Sequence, residues 1–135
     1  MSGVLVVVEQ RGGSLGRTSL EALAAGQQLA KQLGAECSAA VVGDAAAAGE
    51  LSSKAVAKVY TVEHALLAQY TADGYVAALE QLVKQAAPAY VVFPHTYQVR
   101  DFAPALATRF GQVLISDVVA IHDGPSFVRQ LFQAS

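Results

Sequence analysis

The sequence predicts an α/β fold: a three-layer, Rossmann-like, doubly wound and mostly parallel sheet with a terminal strand pair. Three observations predict it. Valine-rich apolar runs without polar alternation, led by Val4-Leu5-Val6-Val7-Val8, read as strands covered on both faces. Segments of helical apolar spacing lie between these runs and stop at Gly34, Pro88 and Gly111. Strand and helix alternate through most of the chain, which calls for parallel strands, right-handed crossovers and helices on both sides of the sheet.

Each element follows from local chemistry. After the first strand, Glu9-Gln10-Arg11-Gly12-Gly13-Ser14 reads as a flexible turn. Thr18 and Glu21 have capping-box spacing, and Leu20, Leu23, Ala24, Leu29, Ala30 and Leu33 carry a helix as far as Gly34. Gly26 weakens that helix, which predicts close packing against the sheet. Residues 36–42 form a second strand. Residues 45–55, rich in helix formers but poor in large apolar side chains, read as a short helix or loop. A third strand is centred on residues 58–61, where Val-Tyr-Thr content favours extended backbone. Residues 64–70 suggest a short helical turn, and residues 73–87 a longer helix with Val76, Ala77, Leu79, Leu82, Val83 and Ala86 on its apolar side. Tyr90-Val91-Val92-Phe93 is the fourth strand. A further helix begins at Val99 or Arg100 and ends at Phe110, with Pro104 tolerable only near its first turn. Residues 113–121 and 127–132 are two strand-like runs joined through Asp123-Gly124, a turn signal, and are expected to pair as a hairpin-like extension.

Residues 1–135 read as one domain, since no repeat or low-complexity linker divides them and the Ala45-Ala46-Ala47-Ala48 run is too short for a boundary. The apolar fraction is 53% and charged residues make up 15%, which suits a sheet buried on both faces or a surface that something else covers. Nine Lys and Arg are scattered and the net charge is −2, so no basic stripe invites nucleic acid. One cysteine, Cys37, excludes an intramolecular disulfide or a cysteine metal cluster. The opening apolar run lacks a basic lead and is too short for a signal or a membrane span, so the expected location is the cytoplasm.

Candidate sites were weighed against plainer roles. The loop Arg11-Gly12-Gly13-Ser14-Leu15-Gly16-Arg17 follows the first strand, where open α/β sheets bind ligands. It matches neither the dinucleotide fingerprint nor the P-loop, and a mobile turn before a capped helix is the favoured reading. His95, Tyr97, Arg100 and Asp101 share the loop and helix start after the fourth strand. Asp101 suits a first helical turn and Arg100 suits a carboxylate or phosphate, while Thr96 or Gln98 caps the helix in the structural alternative. His64, His95 and His122 have no metal-ligand spacing. Ser14, Ser19, Ser116 and Ser126 lack a nucleophile elbow, and Cys37 reads as an inert core thiol. Asp117 interrupts an apolar run, with Arg129 as its natural partner; the pair is either structural or an organiser of an interface. No catalytic, cofactor-binding or metal residue is assigned.

A family likeness runs through several of these motifs. The first strand with Glu9, the helix body Leu20-Glu21-Ala22-Leu23-Ala24-Ala25-Gly26-Gln27, Leu114-Ile115-Ser116-Asp117-Val118-Val119-Ala120-Ile121 and Phe127-Val128-Arg129-Gln130-Leu131-Phe132 together resemble the N-terminal domain of the electron transfer flavoprotein α subunit. Lys58-Val59-Tyr60 and the helix that ends at Pro88 fall in the expected order. The resemblance implies a subunit that pairs with a β subunit and carries FAD in the complete heterodimer. It also implies electron transfer from flavin dehydrogenases, such as acyl-CoA dehydrogenases, toward the quinone pool. In that family FAD is held mostly by a later, C-terminal domain, which is absent from this chain, so no FAD is expected on the chain alone and no independent enzyme activity. The alternative is a small nucleotide-binding α/β domain resembling the universal stress protein group.

Overall fold

A computed structural model describes residues 3–11, 14–42, 49, 56–62, 71–86, 88–94, 96–109, 114–115 and 118–120. Its strands are β1 (Val4–Val8), β2 (Gln10–Arg11), β3 (Ser14–Leu15), β4 (Cys37–Val42), β5 (Val59–Val62), β6 (Tyr90–Val92), β7 (Leu114–Ile115) and β8 (Val118–Ala120). The described helices are α1 (Arg17–Leu33), α2 (Ala72–Ala86) and α3 (Tyr97–Arg109). A six-stranded sheet runs in the order β5-β4-β1-β6-β8-β7, and β2 pairs with β3 in a separate ribbon. The strands β5, β4, β1 and β6 are parallel to one another, whereas β8 runs antiparallel to both β6 and β7. The sheet is thus doubly wound and mostly parallel, as the alternation of motifs predicts.

Why β1 lacks alternation is now clear. All five of its residues are buried. Val4, Val6 and Val8 pack with Leu23, Leu29 and Ala30 of α1, while Leu5 and Val7 pack with α2 and α3 through Leu79, Val83, Phe102 and Leu106. Helices therefore cover both faces and the fold has three layers. On the second face Phe93 meets Phe102 edge-on with ring centroids 5.6 Å apart, and Tyr75 meets Phe102 at 5.7 Å.

Two glycines act as the periodicity requires. Gly34 has φ 65°, a left-handed cap in which its N–H bonds the Lys31 carbonyl at 3.3 Å. A Cβ on Gly26 would stand 2.2 Å from Val6 Cγ2, so α1 lies on the sheet at a distance only glycine permits.

Several boundaries differ from the sequence expectation. Helix α1 starts at Arg17 behind Gly16, without a side-chain cap, so Thr18 lies inside the helix and no capping box forms. Glu21 is drawn instead to Arg17, an exposed ion pair of 3.3 Å one turn earlier. The segment read as a flexible turn contains an antiparallel ribbon, with Gln10 opposite Leu15 and Arg11 opposite Ser14. A two-residue Gly-Gly connection favours such a reversal, but the flanking arms are too short to show alternation. Pro104 sits well inside α3, on an exposed stretch of the helix where its ring meets solvent rather than the core. The run 113–121 is not one strand: Ile115 pairs with Val118 and Leu114 with Val119, so it contains both arms of an antiparallel pair. A strand pair therefore lies within that run, and the expected pairing with residues 127–132 falls on residues not described. Residues 127–132 lie outside the described residues, as do the readings made at 45–48, 50–55 and 64–70.

Candidate functional site

The winding locates the crevice. From β1 the chain moves outward to β4 and β5, then returns across β1 to β6 on its other side. The strand order reverses between β1 and β6, and at the carboxyl ends of such strands an open sheet presents its ligand crevice. Glu9 leaves β1 at that point, and Phe93, Pro94 and Thr96 leave β6.

Glu9 is held there from several directions. Ser19, fully buried on α1, accepts a hydrogen bond from the Glu9 N–H at 2.8 Å and donates one to the Glu9 carbonyl at 3.0 Å. One serine hydroxyl thereby satisfies both backbone groups of the residue that ends the central strand. The Thr96 hydroxyl donates to the Glu9 carboxylate. That same oxygen accepts the Val99 N–H at 3.2 Å, which makes Thr96 the N-cap of α3. Tyr75 of α2 closes the far side, its hydroxyl 3.5 Å from the Val42 carbonyl at the end of β4. Burial, and secondarily the negative charge of Glu9, push the Tyr75 phenol above its ordinary pKa. Elements β1, α1 and α3 thus meet at Glu9, through its backbone and its carboxylate, with Tyr75 of α2 close enough to sense its charge.

The sequence-predicted residues divide around this junction. Thr96 caps α3, as one of the two alternatives required. Because that cap starts the helix at Tyr97, Asp101 lies beyond the first turn. Tyr97 is 88% exposed and shares an open groove of about 480 Å³ with Gln98, Arg100 and Asp101. Arg17 pairs with Glu21, and Ser14 and Arg11 face each other in the β2–β3 ribbon. His64, His95, Ser116, Asp117, His122, Ser126 and Arg129 lie outside the described residues, so the Asp117–Arg129 reading does too. Cys37 is buried, and burial pushes its thiol from 9.0 up to about 11, which suits an inert core group. A second, smaller hollow of about 160 Å³ lies at the amino ends of the strands, bordered by Gly3, Glu36, Ser38, Lys58, Tyr60 and Pro88.

Two members of the crevice, Glu9 and Ser19, were not singled out as partners from sequence. Their contact spans ten positions and joins a strand end to the inner face of a helix, so spacing gives no hint of it. Among the described residues no group of three His, Cys, Asp or Glu is placed to hold a metal ion. Nor is any described helix long and apolar enough to cross a membrane. Chemically the α3 end of the crevice offers a carboxylate and a threonine hydroxyl already bonded to one another, in a position where a phosphate-binding sheet would present free amides.

Comparison with known proteins supplies the family. A family model described as "Electron transfer flavoprotein domain" matches residues 4–135. The chain is 34% identical over 123 residues to the electron transfer flavoprotein subunit alpha of Syntrophomonas wolfei, covering 90% of this chain and 38% of that protein. It is 33% identical over 121 residues to the corresponding subunit of Clostridium acetobutylicum, covering 88% of this chain and 36% of that protein. Against the Mycobacterium tuberculosis subunit the identity is 35% over 136 residues, covering 98% and 41% respectively. The chain therefore spans between 36% and 41% of the length of these relatives.

Proposed function

The chain belongs to the electron transfer flavoprotein domain family, and on that basis we propose that it works as the N-terminal domain of an α subunit, an electron carrier component with no catalysis of its own. The observation that carries this reading is the family match over residues 4–135, which includes every described strand and helix. In this reading residues 1–135 form one folding unit that supports assembly with a β subunit. The complete heterodimer accepts electrons from flavin dehydrogenases and passes them toward the quinone pool. It works in the cytoplasm.

FAD belongs to that heterodimer, and the α3 end of this chain's crevice does not fit its pyrophosphate. A dinucleotide needs backbone donors free at a helix N-terminus and room beside them. Here the crevice holds the Glu9 carboxylate, and the Thr96 hydroxyl already serves both that carboxylate and the Val99 amide. The same feature weighs against the alternative of a nucleotide-binding domain. We therefore assign FAD to the complete heterodimer rather than to this chain alone, and to this chain the role of a scaffold.

Co-expression of the 135-residue chain with a β subunit tests the proposal, followed by size-exclusion chromatography and flavin fluorescence. Co-elution of the two chains, with no flavin quenching by the 135-residue chain alone, is the expected result. Separate elution would count against the assembly role, and stoichiometric FAD quenching by the isolated chain would overturn the assignment of the cofactor.

A further inference from the structure

We propose that Glu9 is a resident anion: its carboxylate occupies the place beside the N-terminus of α3 at the β1/β6 crevice, and it closes that helix end to phosphate-bearing ligands. This inference is independent of the electron-carrier reading. It rests on three placements. Glu9 lies at the carboxyl end of the central strand, where the strand order reverses. Its carboxylate is bonded to the N-cap hydroxyl of α3, and so stands against the positive end of a thirteen-residue helix. Its backbone is clamped on both sides by Ser19, which has no exposure to solvent, so the point from which the side chain reaches Thr96 is fixed by two buried hydrogen bonds.

The chemistry then works against an incoming anion in two ways. The α3 terminus already has a negative partner, so its dipole attracts no second one strongly. A phosphate brought within a few ångströms also meets the carboxylate's repulsion. Even after allowance for solvent around a half-buried group, that repulsion is worth at least about tenfold in affinity. Thr96 cannot serve as a donor to phosphate unless it releases the carboxylate, because its single proton is committed. Fold topology alone would nominate this crevice for a nucleotide; the residue placed in it decides otherwise.

The test compares wild type, Glu9→Ala and Glu9→Gln, titrated with inorganic phosphate and with AMP while backbone amide resonances are followed. Wild type is expected to show no saturable shifts at Thr96, Tyr97 or Gln98. Glu9→Ala, which empties the position, is expected to bind at least about tenfold more tightly than wild type, with shifts at those amides that added salt reverses. Glu9→Gln keeps an acceptor for Thr96 and loses only the charge, so it carries the comparison if the alanine variant does not fold. Wild-type binding as tight as that of the variants would overturn the inference. So would folded variants that bind phosphate and AMP no better than wild type.

Discussion

Ser19 and Gly26 sit on the same helix and show how differently single residues announce themselves. Gly26 is legible from the sequence: a glycine inside a helical pattern signals close approach, and Val6 is what it approaches. Ser19 is not. A serine at that position of an amphipathic helix is compatible with either face, and only the fold reveals that it binds both backbone groups of Glu9. Cys37 lies between these cases, since its place in an apolar strand already suggests an unreactive thiol. Its environment gives that expectation a pH dependence. Burial favours the neutral thiol, so the contribution to stability is complete below pH 9.0 and is lost as pH rises through about 11. At pH 8 the folded chain should hold about a hundredfold less thiolate at Cys37 than the unfolded chain. Alkylation by iodoacetamide, with and without urea, measures this: labelling should be slow in the folded state and accelerate toward pH 11. Equal rates in both states would refute the buried-thiol account.

At the scale of elements, α3 carries most of what differs between sequence and structure. Its start at Tyr97, set by the Thr96 cap, lies two or three residues ahead of the Val99 or Arg100 that apolar periodicity suggests, because caps depend on a single hydroxyl and periodicity on several side chains. Thr96→Val keeps the shape and removes the hydroxyl, leaving the Val99 amide without its cap and the Glu9 carboxylate without its donor. Urea denaturation of this variant should show a loss of about 1–3 kcal/mol, more than an ordinary cap deletion because the carboxylate is half-buried. A loss within experimental error would mean that water replaces the hydroxyl at both contacts. The short ribbon and the antiparallel strands near the end were hidden for a related reason. Two- and three-residue strands such as β2, β3, β7 and β8 are too brief to establish a period. By contrast β1, β4, α1 and α2, with several buried residues apiece, were placed to within one or two positions.

At the scale of the molecule, the sheet is legible in its class and winding because alternating buried strands and amphipathic helices leave few other arrangements. The crevice was legible in position but not in content. Sheet order also ranks local stability. β1 and β4 have neighbours on both sides and helices on both faces, whereas β5 and β7 have one described neighbour each. Hydrogen exchange should therefore be slowest at the amides of β1 and β4 and several orders of magnitude faster at β5 and β7. Uniform protection across all of them would mean that the edges are covered by a part of the protein not described.

The reversal at β8 has a geometric result. Tyr90 lies beside Val4 on one side and Ala120 on the other, so the polypeptide, having crossed the sheet several times, is returned at Ala120 to the rim from which β1 set out. Glu9 and Thr96 mark the opposite rim. Any continuation of the backbone past Ala120 is therefore tethered at the pole facing away from the sealed crevice.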